Sequence, residues 1–235
     1  MKDAASTSNG GGPPYVVVSD FDGTITLDDL TNIVWDRHLP YDWRAVLTPL
    51  SREGILSPLE MIARGYGDVA RGPEALLSEV LPLGRLRPGF DAFVATCAAR
   101  AWPFEVLSHG LAFYIRPLLP PGLALTAFEG RFEHDRWRVE LPAGLELPAG
   151  RDFKAHVVAL LRARHPGHTT VYVGDGRLDF PAARTCERIF AVHDSTLARL
   201  CAESGIPFTP FETFDEVAAG LAPPTSGALD ARDLG

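Results

Sequence analysis

One stretch, Tyr15-Val-Val-Val-Ser-Asp20-Phe-Asp22-Gly-Thr24, constrains this chain more than any other. An uncharged β-branched run predicts a short strand buried on both faces, as inside a parallel sheet. The run ends abruptly in two carboxylates, then in Gly23 and Thr24, which favour a turn. Asp20 and Asp22 are two residues apart, so they face the same side if the extended geometry continues. Like charges side by side cost stability, and a bound cation offsets that cost. Mg²⁺ held by one or two carboxylates and phosphate oxygens is a common arrangement of this kind.

The segment that follows carries no strand pattern. Leu27 to Leu39 has apolar residues at Leu27, Leu30, Val34 and Trp35 with Asp28 and Asp29 early, which predicts a helix. A second is expected over Asp42 to Arg52. Ser57-Pro58-Leu59-Glu60 is a capping box with proline at the first helical position and starts a third. Pro73 to Leu81 makes a fourth. Residues 26–86 therefore read as an all-helical insertion after the first strand.

From Pro88 helices and strands alternate. A helix is expected from Phe90 to about Ala101, then a strand, Phe104 to Leu107, ending in Ser108-His109-Gly110 and followed by a helix to about Leu119. Leu123 to Leu141 alternates apolar and charged residues, as edge strands or a hairpin do. Asp152 to Ala163 is expected to be helical and carries Lys154. Thr169 to Val173 is a buried strand ending in Gly174-Asp175-Gly176-Arg177-Leu178-Asp179. Ile189 to Val192 is another strand, a helix runs from Asp194 to near Gly205, and Ile206 to Phe211 is a last short strand. Thr213-Phe-Asp-Glu216 caps the final helix. The fold class this implies is α/β, a doubly wound parallel sheet covered on both faces, with a small helical cap. The expected division is a core over 15–25 and 87–222, a cap over 26–86, and disordered tails at 1–14 and 223–235. In such sheets ligands bind beyond the carboxyl ends of the strands. Three of the predicted strands end in polar residues there: Asp20 and Asp22, Ser108, and Asp175 with Asp179.

Composition narrows the function. The 235 residues carry a formal net charge of −8 and no basic run, which argues against nucleic acid as a partner. Cys97, Cys186 and Cys201 form neither a metal-ligand spacing nor a disulfide framework, as expected in a reducing cytoplasm. The Gly/Ser/Pro-rich start reads as neither a signal peptide nor a membrane span. Taken singly, the strand-end motifs are weak. Asp-x-Asp is often a solvated loop, Gly-Asp-Gly is a good turn, and a serine between strand and helix is often a cap. Lys154 is more telling. The chain has two lysines, Lys2 in the N-terminal tail and Lys154, and otherwise uses arginine for positive charge. A compact ammonium is not interchangeable with a guanidinium, so a lysine kept here points to a site. His109 reads as a loop residue or substrate neighbour, because no second histidine stands at ligand spacing.

Asp20-Phe-Asp22-Gly-Thr-Ile-Thr, then Ser108, Lys154 and Gly174-Asp175-Gly176-x-x-Asp179, in that order, resemble the haloacid dehalogenase-like phosphatases over residues 15–217. The insertion after the first motif looks like the small cap of phosphoserine-phosphatase-like members. The resemblance implies that Asp20 is the nucleophile of an aspartyl-phosphate route and Asp22 the acid–base residue. It implies that Ser108, His109, Gly110 and Lys154 hold phosphoryl oxygens. Asp20, the Asp22 backbone carbonyl and Asp175 would bind Mg²⁺, with Asp179 holding a metal-bound water or Lys154. A monomer or homodimer acting on a small-molecule phosphate ester is expected. The start of the chain looks most like the methionine-salvage phosphatase acting on a hydroxy-keto-methylthiopentenyl phosphate. Two positions depart from that pattern: His109 replaces a glycine, and Arg177 a small residue. Alternatives left open are a phosphoserine-type phosphatase, in which Asp28 or Asp29 holds an amine, a phosphotransferase, and a phospho-accepting receiver-like module. Trp35, Trp43, Met61 and Tyr66 are candidates for the cap side of a substrate pocket.

Overall fold

A computed structural model describes residues 14–222. The tails expected at either end fall, apart from Pro14, outside the described residues. Seven strands form one sheet: β1 (Tyr15–Ser19), β2 (Phe104–Leu111), β3 (Ala124–Glu133), β4 (Arg136–Glu140), β5 (Thr169–Gly174), β6 (Arg188–Val192) and β7 (Thr209–Phe211). Their order is β4-β3-β2-β1-β5-β6-β7. All neighbours run parallel except β4, which folds back on β3 as an antiparallel edge. That hairpin turns on His134 and Asp135, both at positive φ, the two-residue geometry whose twist matches the flanking strands. β1 lies mid-sheet and is buried along its whole length. Each of its buried valines contributes about 1.5–3 kcal/mol relative to exposure.

Four helices separate β1 from the rest of the core: α1 (Leu30–His38), α2 (Trp43–Arg52), α3 (Pro58–Gly67) and α4 (Pro73–Val80). The sequence signals act as expected. Asp42 caps α2, and Ser57 with Glu60 forms the reciprocal capping box of α3. α1 starts three residues later than expected, because the Asp29 side chain accepts from the Asn32 amide and so caps the helix. The chain enters and leaves this helical layer through two paired segments. Leu27 N–H donates to Arg85 C=O at 2.9 Å and Arg87 N–H to Ile25 C=O at 2.7 Å. The layer also leans on the hairpin, where the Trp137 indole N–H donates to Arg71 C=O at 2.8 Å.

The remaining helices are α5 (Phe90–Ala99), α6 (Ala112–Ile115), α7 (Phe153–Arg164), α8 (Phe180–Ala183), α9 (Thr196–Glu203) and α10 (Phe214–Leu221). Three expectations need correction. β2 does not stop before Ser108 but runs through Ser108-His109-Gly110 to Leu111, with a register shift against β3 over that stretch. The helix after it is one turn plus a 3-10 turn over Arg116–Leu118, because Pro117 removes a backbone donor. β7 is likewise shorter than expected and begins at Thr209. The chain builds outward from β1 in both directions, so the sheet reverses order between β1 and β5. Ligand crevices of doubly wound sheets open at that point, beyond the strand ends.

Candidate active site

β1 and β5 pair in register, Ser19 beside Val173, which sets Asp20 and Asp175 at the same sheet edge. The Asp20 amide still donates to Val173 C=O at 2.9 Å, so its Cα is held by the last rung of the ladder. α7 approaches from below with Asp152 as its cap. Its second residue, Lys154, is 2% exposed. The ammonium donates to Asp20 Oδ1 at 2.5 Å and to Asp179 Oδ1 at 2.6 Å. Burial alone pulls a lysine towards neutrality, but Asp179 and Asp20 outweigh it and hold Lys154 above its ordinary value. The lysine is charged at any working pH.

Asp179 is the most heavily bonded carboxylate. Besides Lys154, its Oδ1 accepts from Tyr172 OH at 2.8 Å, and Oδ2 accepts from the amides of Asp175 (3.0 Å) and Gly176 (2.7 Å). Both oxygens are therefore occupied, and this residue organises the loop and the lysine. Asp175 accepts from Thr24 Oγ at 2.6 Å. Burial first, and then Asp179, raise it from the ordinary carboxylate range to about 7. Asp20 is raised well above that range, by burial first and by Asp179 next, against the opposing pull of Lys154. One carboxylate oxygen from each of Asp20, Asp175 and Asp179 lies within 4.8 Å of the others. Hard oxygen donors carrying uncompensated negative charge suit Mg²⁺. Gly23 stands at φ +79°, and a Cβ there would meet Asp175 Oδ2 at 2.7 Å, so the turn after the first motif passes tight against this group.

Asp20 and Asp22 line one cavity but differ in what they bond. β1 ends at Ser19 and the chain turns through Asp22, so the Asp22 carboxylate stands apart from the acidic cluster. It accepts from the Leu30 amide at 2.9 Å, at the start of α1, and from Tyr114 OH at 2.7 Å. Burial first, with the nearby Asp29 next, raises it to about 8. The group is thus largely protonated near neutral pH and able to give a proton.

Ser108, His109 and Gly110 all face the same cavity, of about 200 Å³, as do Asp20, Asp22, Lys154, Asp175 and Asp179. All eight residues singled out in the sequence are brought together. Ser108 Oγ accepts from the Gly110 amide at 2.9 Å. At Gly110 a Cβ would sit 2.0 Å from Tyr114 OH and 2.7 Å from Asp22 Oδ2, so only glycine lets the chain pass. His109 is not a loop residue. It is buried near the end of β2, its ring 5.5 Å from both Phe128 and Phe153. Burial first, and Lys154 next, push its pKa well down, so the imidazole is neutral.

The helical layer between β1 and α5 contributes Asp29, Asn32, Trp35, Trp43, Met61 and Ile62 to the lining. Tyr66 does not line the cavity. Its ring lies in the core, edge-on to Trp35 and Trp137 at 6.0 Å each. Asp28 also points elsewhere, to Arg85 at 2.9 Å. Arg177 lines the cavity from the core side and reaches the cap, donating to Ser51 Oγ at 3.2 Å. Sequence reasoning missed Thr24, Arg87, Tyr114 and Tyr172. Thr24 stood inside the quoted motif. The other three show no local signal, because their partners lie between 7 and 125 residues away.

Comparison with known proteins places the chain in a family. The family model of haloacid dehalogenase-like hydrolases matches residues 17–184. A polyol phosphate phosphatase of Saccharomyces cerevisiae is 25% identical over 93% of this chain and 97% of its own length. A 2-hydroxy-3-keto-5-methylthiopentenyl-1-phosphate phosphatase of Geobacillus kaustophilus is 28% identical over 88% of this chain and 94% of its own. Among solved structures, a substrate-bound phosphoserine phosphatase complex superposes with a TM-score of 0.68 at 14% identity. It covers 88% of this chain and 98% of that one, a likeness of fold. The chain belongs to the haloacid dehalogenase-like hydrolases.

Proposed function

We propose that this protein is a Mg²⁺-dependent phosphatase that hydrolyses a small phosphate monoester through an aspartyl-phosphate on Asp20. The observation that carries the reading is that, of two buried aspartates, one is bonded to an ammonium and the other is not. Asp20 touches a charged ammonium at 2.5 Å, whereas Asp22 touches none and is raised to about 8. Burial raises both, but only Asp20 has a bonded cation that opposes the rise and favours its anion, while Asp22 is left to serve as the acid, the division of labour this reaction needs.

Asp20 attacks phosphorus, the bond from phosphorus to the leaving oxygen breaks, and Asp22 gives that oxygen its proton. Asp22, now a carboxylate, takes a proton from water as the water oxygen attacks phosphorus. The bond between phosphorus and Asp20 then breaks, releasing phosphate and restoring both aspartates. Ser108 and Lys154 hold phosphoryl oxygens, and Lys154 opposes the protonation of Asp20 that burial favours. Tyr114 fixes the Asp22 carboxyl through the 2.7 Å hydrogen bond. Asp20 and Asp175 would hold Mg²⁺, which supplies positive charge against the phosphoryl oxygens. Most of the catalysis in phosphoryl transfer is such positioning and charge stabilisation.

The cap wall supports a leaving group with an apolar end. Trp35, Trp43, Met61 and Ile62 offer apolar surface, and the cap contributes no cation to the cavity. The methylthiopentenyl phosphate in the name of several relatives fits that wall. A second reading, a phosphoserine-type ester, is favoured by Asp29, which could hold an ammonium. It leaves the substrate carboxylate without a cap cation. The three free cysteines support placement in the reducing cytoplasm.

The test is phosphate release from a panel of small esters, with Mg²⁺ and with EDTA, alongside Asp20→Asn. Mg²⁺-dependent release that vanishes in the variant is expected, with the methylthiopentenyl ester ahead of phosphoserine. Release that is equal in EDTA, or unchanged in Asp20→Asn, contradicts the proposal.

A further inference from the structure

A buried arginine that plays no part in the scheme above sits behind the acidic cluster. Arg87 is 8% exposed and touches no carboxylate within ion-pair distance among the described residues. Its guanidinium is spent on backbone carbonyls: Nε donates to Thr24 C=O at 2.7 Å, one terminal nitrogen to Gly23 C=O at 2.7 Å, and the other to Glu212 C=O at 3.2 Å. Burial pulls its pKa down, with Asp175 and Glu212 opposing. A buried charge is costly unless well bonded, so its retention here calls for a task.

The task lies in what those carbonyls belong to. Gly23 and Thr24 form the turn that packs on Asp175. The Thr24 hydroxyl holds Asp175 Oδ1 at 2.6 Å, and Gly23 lies so near Asp175 Oδ2 that no side chain fits. The Arg87 backbone belongs to the segment by which the chain returns from the cap, and its amide donates to Ile25 C=O in the outgoing segment at 2.7 Å. One residue thus joins the cap's return path, the turn after the first motif and the loop leading into α10. Charge-assisted hydrogen bonds in a fixed fork can hold two consecutive carbonyls in register, which a lysine cannot do.

We infer that Arg87 is a positioning residue for divalent-cation binding, acting through the Gly23–Thr24 turn to fix the orientation of Asp175. This rests on the reading that the acidic cluster holds a divalent cation. Groups that orient metal ligands from behind shift metal affinity by about 10- to 100-fold, and an indirect route through a backbone turn places Arg87 near the lower figure.

The experiment uses the full chain and two readouts: the rise in Tm on adding Mg²⁺, and the Mg²⁺ concentration giving half-maximal turnover. Arg87→Lys and Arg87→Met are compared with Leu161→Ala, a core variant at the far end of α7 that destabilises without touching the turn. Both Arg87 variants are expected to need about 10-fold more Mg²⁺, Arg87→Met the more affected, with turnover at saturating Mg²⁺ changing much less. Leu161→Ala should lower Tm and leave the Mg²⁺ requirement alone. A Thr24→Val variant should reproduce the Mg²⁺ shift, because it cuts the link to Asp175. Wild-type Mg²⁺ dependence in both Arg87 variants would overturn the inference while leaving the phosphatase reading intact. A wild type whose Tm and turnover ignore Mg²⁺ would remove the cation reading and this inference together.

Discussion

Replacing Lys154 by methionine keeps most of the length of the side chain and removes its charge. In the folded protein the ammonium is shared between Asp20 at 2.5 Å and Asp179 at 2.6 Å, with the lysine 2% exposed. Removing one partner of a buried ion pair costs about 3–5 kcal/mol, because the other charge is left uncompensated. Here two carboxylates lose a shared partner. The loss is limited because Asp20, already raised by burial, takes up a proton instead. For a domain of this size 1 kcal/mol corresponds to about 2–4 °C, so Tm should fall by about 10 °C in EDTA. Mg²⁺ should restore a larger share of Tm in the variant than it adds to the wild type, because it returns positive charge to the same carboxylates. Turnover should fall by about two orders of magnitude or more, since Asp20 is then protonated and a phosphoryl contact is gone. Lys154→Arg, too bulky for the site, should also lose most activity while remaining folded. Differential scanning in EDTA and in Mg²⁺, with phosphate release beside it, checks all three. A Tm within about 2 °C of wild type together with near wild-type turnover in Lys154→Met would refute this reasoning.

Three further outcomes follow from the site. Asp22→Asn should cut turnover by about 10²- to 10⁴-fold while substrate binding, read by calorimetry, is retained; an unchanged rate removes Asp22 as the acid–base group. In EDTA, Tm should fall as pH rises from 6.5 to 8.5. Asp175 and Asp22 have folded pKa values of about 7 and about 8, above their unfolded values, so they add stability at low pH that is lost as pH rises through those values. His109, depressed in the fold, adds stability mainly as pH rises towards the lower edge of that window, and Lys154 changes stability only above it. A flat or rising Tm across the window contradicts the assignment. Gly23→Ala should lose about 1–2 kcal/mol for the left-handed backbone alone and should raise the Mg²⁺ requirement, because its Cβ displaces Asp175.

What the sequence displays and what it hides divide along a physical line. β1 was legible because burial on both faces demands an uncharged β-branched run, and the capping boxes of α3 and α10 because their bonds span three residues. Lys154 stood out because lysine is otherwise absent from the described residues, and its burial accounts for that choice. The edge hairpin was legible from alternation, though His134-Asp135 is not the usual turn pair. The partners of Asp22 were not legible. They are the Leu30 amide and the Tyr114 hydroxyl, which only the fold brings to the turn after β1. Nor was the length of β2, since Ser108-His109-Gly110 resembles a loop locally and becomes strand only through pairing with β3. Tyr114, Tyr172 and Arg87 were invisible for a similar reason. Their chemistry is ordinary in sequence and acquires a role only from partners that the sheet order brings near.

The central claim is a covalent phosphate on Asp20, and an acid quench within milliseconds of mixing enzyme, Mg²⁺ and ester tests it most directly. Borohydride reduction converts an aspartyl-phosphate to homoserine, which mass spectrometry locates in the peptide. Homoserine is expected at position 20, formed before phosphate appears and absent from Asp20→Asn. Full Mg²⁺-dependent turnover with no modification at Asp20, or with the modification at another carboxylate, would contradict it.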